Sequence, residues 1–106
     1  MVDIQKALSD VPDQSMAFWF NNGAVAKNIY ELAGVISSCD AKVFKHHVTA
    51  DKSDFCNWIL GVLGDEDLAN SLKEEHTKAK YASKIKKRIK ELEKMKKKGS
   101  QAVLSS

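Results

Sequence analysis

The sequence of 106 residues predicts an all-α protein, with a compact bundle of about four to five short helices followed by a long lysine-rich C-terminal helix. Three observations support this fold class. Apolar residues recur at intervals of three and four, which is the period of an amphipathic helix. A hydrophobic content of 43% is typical of a soluble globular protein rather than a disordered one. The charge is also unevenly divided along the chain.

The charge division predicts three segments. Residues 78–98 contain ten lysines and Arg88 against two glutamates, a formal charge of +9, whereas residues 1–77 have a net charge of −6. We therefore expect an acidic helical globular domain at residues 1–76, a basic helical extension at residues 77–98 and a flexible tail at residues 99–106. Apart from Tyr81 the aromatic residues precede the basic segment, so the first segment is expected to hold the core.

The first part of the acidic segment predicts two helices separated by a short apolar run. Asp3 to Val11 can form a helix that Pro12 ends. The run Ala17 to Phe20 is compatible with an extended strand or a helical turn. Asn22 is predicted to cap a second helix that reaches about Ser37. The buried face of that helix is expected to consist of Val25, Ile29, Leu32, Ala33 and Ile36.

Four further helices follow in the sequence. Asp40 is predicted to cap a short one, and the next should begin after Thr49 or Asp51 and end at Gly64. Carboxylates at residues 65–67 suit the first turn of the following helix, where the helix dipole favours negative charge. A break at residues 75–77 is expected to precede the basic helix. That helix carries a narrow apolar seam formed by Tyr81, Ile85, Ile89 and Leu92.

Two blocks of residues carry a family resemblance. The first runs from Phe18-x-Phe20-x-Asn22-Gly23 to Asn28-Ile29-Tyr30-Glu31-Leu32-Ala33, and the second from Phe44-x-x-His47 through Asp54-Phe55-x-x-Trp58-Ile59 to Gly64-Asp65-x-x-Leu68-Ala69. Over about residues 17–72 the chain resembles a family of small uncharacterised helical domains of archaea and bacteria. The resemblance implies a helical fold and no assigned activity. Ser53 and Cys56 depart from it, because similar sequences often have Asn and Ala there.

Catalytic, cofactor and metal sites are not predicted. The histidines and cysteines lack metal-ligand spacing, since adjacent His46 and His47 point about 100° apart on a helix. His47 is expected to bond to a neighbour such as Asp54. A nucleophile–base pair of Cys56 with His47 lacks any evident oxyanion donor. The chain is therefore predicted not to be an enzyme, with no small-molecule substrate evident.

The basic helix predicts a polyanionic partner, the backbone of DNA or RNA. Binding is expected to be nonspecific, as in a nucleoid-associated or architectural protein, because only one arginine is available for base readout and Tyr81 is the only aromatic. A solvated helix whose lysines merely maintain solubility is the simpler interpretation. The predicted binding residues are Lys78, Lys80, Lys84, Lys86, Lys87, Arg88, Lys90, Lys94, Lys96, Lys97 and Lys98.

The apolar seam must have a partner of its own. Either the helix folds back onto the globular part, or two copies associate as a homodimer through Tyr81, Ile85, Ile89 and Leu92. A protein–protein interaction or self-assembly module without a nucleic-acid role is the alternative function. A membrane surface is not expected as a partner, because the seam lacks Trp and Phe. The N-terminus has neither a secretory signal nor a membrane span, which predicts a cytoplasmic location.

Overall fold

The computed structural model describes the backbone of residues 2–105 and the side chains of residues 2–97. Within that range it confirms the mostly helical fold and adds a small two-stranded sheet. The elements in chain order are α1 (Ile4–Leu8), a 3₁₀ helix (Gln14–Met16), β1 (Phe18–Trp19), β2 (Val25–Ala26), α2 (Ile29–Ser38), α3 (Ala41–His47), α4 (Asp54–Trp58), a π-helix (Ile59–Leu63), α5 (Glu66–Leu72) and α6 (Lys78–Ser105).

The predicted start of the second helix was wrong, because a hairpin occupies that position. β1 and β2 pair antiparallel, with Phe18 opposite Ala26. The turn between them includes Gly23 at φ +93°, a backbone conformation that glycine adopts without strain. Asn22 therefore stabilises this turn, accepting a hydrogen bond from the Ala24 N–H at 2.9 Å. Helix α2 begins later, at Ile29.

Short polar side chains define the other helix starts. Asn28 caps α2 by accepting from the Glu31 N–H at 2.8 Å. Ser53 caps α4, which begins two to four residues later than predicted, and accepts from the Cys56 N–H at 3.2 Å. The following π-helix is capped by Gly64, with φ +73°, at the position where the sequence predicts the end of the helix. The predicted break between the last two helices is confirmed, because α5 ends at Leu72 and α6 begins at Lys78.

A single core spans the acidic and basic parts of the chain. Helix α6 packs against α1, α2 and α5. All four seam residues are buried, and the Tyr81 ring lies edge-on to Phe44 with the ring centroids 5.0 Å apart. Of the two partners that the sequence left open for the seam, the structure shows the first, the globular part of the same chain. This corrects the expectation of a self-association surface, because none of Tyr81, Ile85, Ile89 and Leu92 remains exposed for a second copy.

The boundary predicted near residue 77 therefore separates charge but not packing. Residues 77–98 contribute five buried apolar side chains to the same core as residues 1–76: Tyr81, Ala82, Ile85, Ile89 and Leu92. The flexible tail predicted for residues 99–106 concerns side chains outside the described part, although the helical backbone extends to Ser105. Within the described residues, no helix combines the length and the apolar character needed to cross a membrane.

Candidate nucleic-acid interface

Arg88, one of the predicted nucleic-acid ligands, is instead committed to the fold. Its Nε and Nη2 atoms donate to the two carboxylate oxygens of Asp65 at 2.9 and 3.0 Å. Asp65 is only 1% exposed and also caps α5 by accepting from the Leu68 N–H at 3.2 Å. The hydrogen bonds with Asp65 raise the pKa of the Arg88 guanidinium above its ordinary value. The Nε–Nη2 edge of the guanidinium is therefore occupied by a buried carboxylate and is not available to bind a phosphate.

Two predicted lysine ligands are also engaged within the chain. The Nζ atom of Lys84 lies 2.8 Å from a carboxylate oxygen of Glu75 and donates to the Ser71 carbonyl at the same distance. The hydrogen bond from Lys84 to the Glu75 carboxylate lowers the pKa of Glu75. Lys78 donates to the carbonyl of Cys39. These contacts join the start of α6 to α5 and to the end of α2, so both lysines help to position the helix.

Seven of the predicted lysines remain exposed on α6. Among the side chains of residues 2–97, none of the seven forms an ion pair with a carboxylate. They are Lys80, Lys86, Lys87, Lys90, Lys94, Lys96 and Lys97. The eighth, Lys98, has a side chain outside the described part. The structure thus leaves most of the predicted cationic surface in solvent while removing Lys78, Lys84 and Arg88 from it.

Most of these exposed lysines point away from the core. With successive residues about 100° apart on a helix, all of them except Lys96 fall on the half of α6 opposite the buried seam. Lys87, Lys90, Lys94 and Lys97 follow one another at the 3-4-3 spacing of a continuous helix face. The surface from Lys80 to Lys97 is about 26 Å long at 1.5 Å per residue. We call the six lysines of this surface the lysine face: Lys80, Lys86, Lys87, Lys90, Lys94 and Lys97.

The two acidic residues of α6 are held at the edges of the lysine face. Glu91 lies 3.8 Å from the Arg88 guanidinium, which is itself fixed by Asp65. Glu93 accepts a hydrogen bond from the Tyr30 hydroxyl of α2 at 3.0 Å. Glu93 is therefore directed toward α2, and Glu91 toward Arg88 of the same helix. The sequence alone counts them against the positive charge, whereas their contacts reduce their effect on the outer surface.

His47 has a structural position, as predicted. The side chain is 5% exposed, and its Nδ1 atom lies 3.0 Å from Asp54 Oδ2. Its Nε2 atom accepts a hydrogen bond from the Asn21 N–H at 3.2 Å. Because Nε2 accepts from the β-hairpin turn, Nδ1 is the nitrogen that donates to Asp54 of α4. With both ring nitrogens engaged, His47 is not placed to act as a base.

The sequence did not predict a polar cavity beside the start of α6. This cavity of about 280 Å³ is lined by residues 48–53 and by Cys56, His76 and Tyr81, among others. The Tyr81 hydroxyl lies 2.8 Å from Ser53 Oγ and 3.7 Å from the Cys56 sulfur. Burial raises the pKa of Tyr81, so the phenol stays neutral. No sequence signal indicates this cluster, because 28 residues separate Ser53 from Tyr81.

The cavity cluster does not form a nucleophile–base pair. Cys56 contacts the neutral phenol of Tyr81, while His47 bonds to Asp54 and Asn21. Across the described residues no group of three or more His, Cys, Asp or Glu side chains is arranged to hold a metal ion. The exposed lysine face is therefore the feature whose chemistry best defines a binding surface.

Comparison of the chain with protein-family models, with curated proteins and with solved structures found no match in any of the three. The family resemblance over residues 17–72 therefore stays a prediction.

Proposed function

We propose that this protein binds nucleic acid nonspecifically through the lysine face of α6, and acts in the cytoplasm as a nucleoid-associated or other architectural protein. The observation that supports this is the exposure of six lysines on one helix face, in a chain whose only arginine is paired with Asp65. With no free arginine beside them to contact base edges, these lysines are suited to phosphate contacts, which position a protein on a duplex without reading its sequence.

The rigid placement of the helix favours this function over a merely solubilising one. The apolar seam, the Arg88–Asp65 pair and the Lys84–Glu75 pair fix α6 on the globular part. The lysines are thus held on one surface before any ligand binds. A prepositioned cationic surface requires less ordering on binding than a disordered basic tail.

The number of lysines sets the expected salt dependence. If four to six of them neutralise phosphates, the slope of log K against log salt concentration is about −4 to −5. Between 50 and 200 mM salt the affinity for a duplex should then fall by about 10²- to 10³-fold. A sequence-independent affinity of this kind should be similar for duplexes of unrelated sequence.

A matched pair of charge variants tests the proposal. One variant replaces four residues of the lysine face by glutamine: Lys80, Lys87, Lys90 and Lys94. The control replaces four exposed lysines of the globular part: Lys27, Lys42, Lys45 and Lys73. Both variants lose four positive charges, so any difference between them reports position rather than net charge.

The measurement is a fluorescence-anisotropy titration of a labelled 30-base-pair duplex at several salt concentrations. The first variant should lose about 3 to 4 units of salt slope, and the control less than about 1 unit. Equal losses in the two variants, or no binding by the unchanged protein at 50 mM salt, would refute the proposal. Truncation after Thr77 is not a suitable test, because it removes core residues Tyr81, Ile85 and Leu92 together with the lysines.

A further inference from the structure

We infer that the polyanion bound by α6 is double-stranded, and that the helix contacts both phosphate strands with two separate rows of lysines. This inference rests on the proposed function and specifies its ligand.

The lysine face consists of two rows. Lys80, Lys87 and Lys94 are each seven residues apart and form the first row. Lys86, Lys90 and Lys97, spaced by four and seven residues, form the second row. The two rows lie about 80° apart around the helix axis, on either side of the direction that points directly away from the seam.

The separation of the rows suits two strands better than one. On a helix about 10–12 Å in diameter, positions 80° apart are about 6–8 Å from each other, and long side chains can splay further. The major groove of B-DNA is about 12 Å wide and admits an α-helix. A helix lying along such a groove presents one row to each phosphate strand, whereas a single strand can follow only one row at a time.

The side chains between the rows offer no platform for unstacked bases. Ser83 is the exposed residue at the centre of the outer face, and the Tyr81 ring is buried against Phe44 and Phe55. Single-strand binding depends on aromatic stacking to a large extent, about 1–3 kcal/mol per base. Without stacking on the lysine face, the attraction there depends on charge density, which in a duplex is twice that of one strand.

The acidic residues of α6 reinforce the outward direction. Glu91 lies beyond the first row and Glu93 beyond the second, each on the side nearer the globular part. Their contacts with Arg88 and Tyr30 hold them there. Phosphates that approach the helix from its flanks meet these carboxylates, and phosphates that approach the outer face meet lysines only. A ligand that engages both rows from the outside is therefore favoured.

The experiment combines three probes with two row variants. The probes are a 30-base-pair DNA duplex, the single strand of the same length and a 30-base-pair RNA duplex, each titrated at 50, 100 and 200 mM salt. One variant replaces Lys80, Lys87 and Lys94 by glutamine, and the other replaces Lys86, Lys90 and Lys97. All six side chains are exposed. The circular dichroism spectra of both variants are compared with that of the unchanged protein to check that the variants are folded.

We expect the DNA duplex to bind at least about tenfold more tightly than the single strand at 100 mM salt, because of its doubled charge density. The RNA duplex should bind more weakly than the DNA duplex, because its deep and narrow major groove does not admit the helix between the two phosphate strands. An RNA duplex that binds as tightly as the DNA duplex would contradict the groove contact. Each row variant should reduce the salt slope for duplex by about 2.7 units, since each loses three phosphate contacts. Single-strand binding that equals or exceeds duplex binding would overturn the inference and leave the proposed function standing. Full loss with one row variant and none with the other would refute the two-strand contact. Absence of binding to all three probes would sink the proposed function itself.

Discussion

Replacing Arg88 by methionine should remove a large part of the folding free energy, although Arg88 lies in the most highly charged helix of the chain. The guanidinium is the partner of a carboxylate that is 1% exposed, at distances of 2.9 and 3.0 Å. The substitution leaves Asp65 buried with the Leu68 N–H as its remaining hydrogen-bond donor. An uncompensated charge in that position is costly because it has lost its hydration without gaining a counterion.

The expected cost is about 3–5 kcal/mol, the usual range for removing one partner of a buried ion pair. Small domains have unfolding free energies of about 5–15 kcal/mol, so this loss is a substantial fraction of the total. With a urea m-value of about 1–3 kcal/mol/M, the unfolding midpoint should fall by about 2 M. Arg88→Lys should lie between the wild type and Arg88→Met, because an ammonium keeps the charge but loses the bidentate geometry.

Urea unfolding followed by circular dichroism and by the fluorescence of buried Trp58 measures this loss. The matched control is Lys87→Met, the same loss of charge at an adjacent exposed position, which should cost less than about 0.5 kcal/mol. A double variant with Asp65→Asn should cost less than the sum of the two single changes, since neither partner then remains charged alone. Equal midpoints for Arg88→Met and Lys87→Met would refute the assignment of Arg88 to the fold.

Two further predictions concern acid stability and the seam. Burial opposes ionisation of Asp54, but hydrogen bonds with His47 and Lys52 hold its pKa below the ordinary value. The contribution of the ionised Asp54 to stability is therefore present above the unfolded pKa of about 3.9 and is lost as the pH falls through the lower folded pKa. In Asp54→Asn the stability against urea should therefore fall less steeply below about pH 4 than in the wild type. Coincident acid profiles of the two proteins would contradict this. Ile85→Ala should cost about 2–5 kcal/mol because the side chain is fully buried, whereas Met95→Ala, at a position 38% exposed, should cost much less. Neither unfolding midpoint should change over a tenfold range of protein concentration, and a concentration-dependent midpoint would show that the seam is shared between copies.

Helical periodicity predicted most of the fold, and it failed where a turn overrode it. The stripe Ile29, Leu32 and Ile36 belongs to α2 as expected, but Val25 shares its spacing by coincidence and lies in β2. The turn at Asn22-Gly23 brings β2 back against β1, so that Phe18 pairs with Ala26, and Asn-Gly is a turn signal that helical spacing does not take into account. Local spacing cannot distinguish the two outcomes for a short apolar run.

The candidate interface was predicted in composition but not in membership. Eleven cationic residues share one segment of the sequence, and their number alone indicates attraction to polyanions. Lys84 and Arg88 left this set because their partners Glu75 and Asp65 lie after and before α5, where tertiary packing brings them into contact with α6. A salt bridge across 23 residues of sequence has no local signature.

The amino-acid sequence by itself determined the helical class of this protein, the asymmetric distribution of its charge and the apolar seam of its last helix, because these properties depend on composition and on the 3.6-residue period. Tertiary structure decided what the seam packs against and which cations remain in solvent. Folding α6 onto α2 buries Ile85 in the chain's own core and pairs Arg88 with Asp65, while Lys87 and Lys90 stay exposed on the opposite side. The reason is geometric, since one helix can present only one face to a core and must leave the other to solvent.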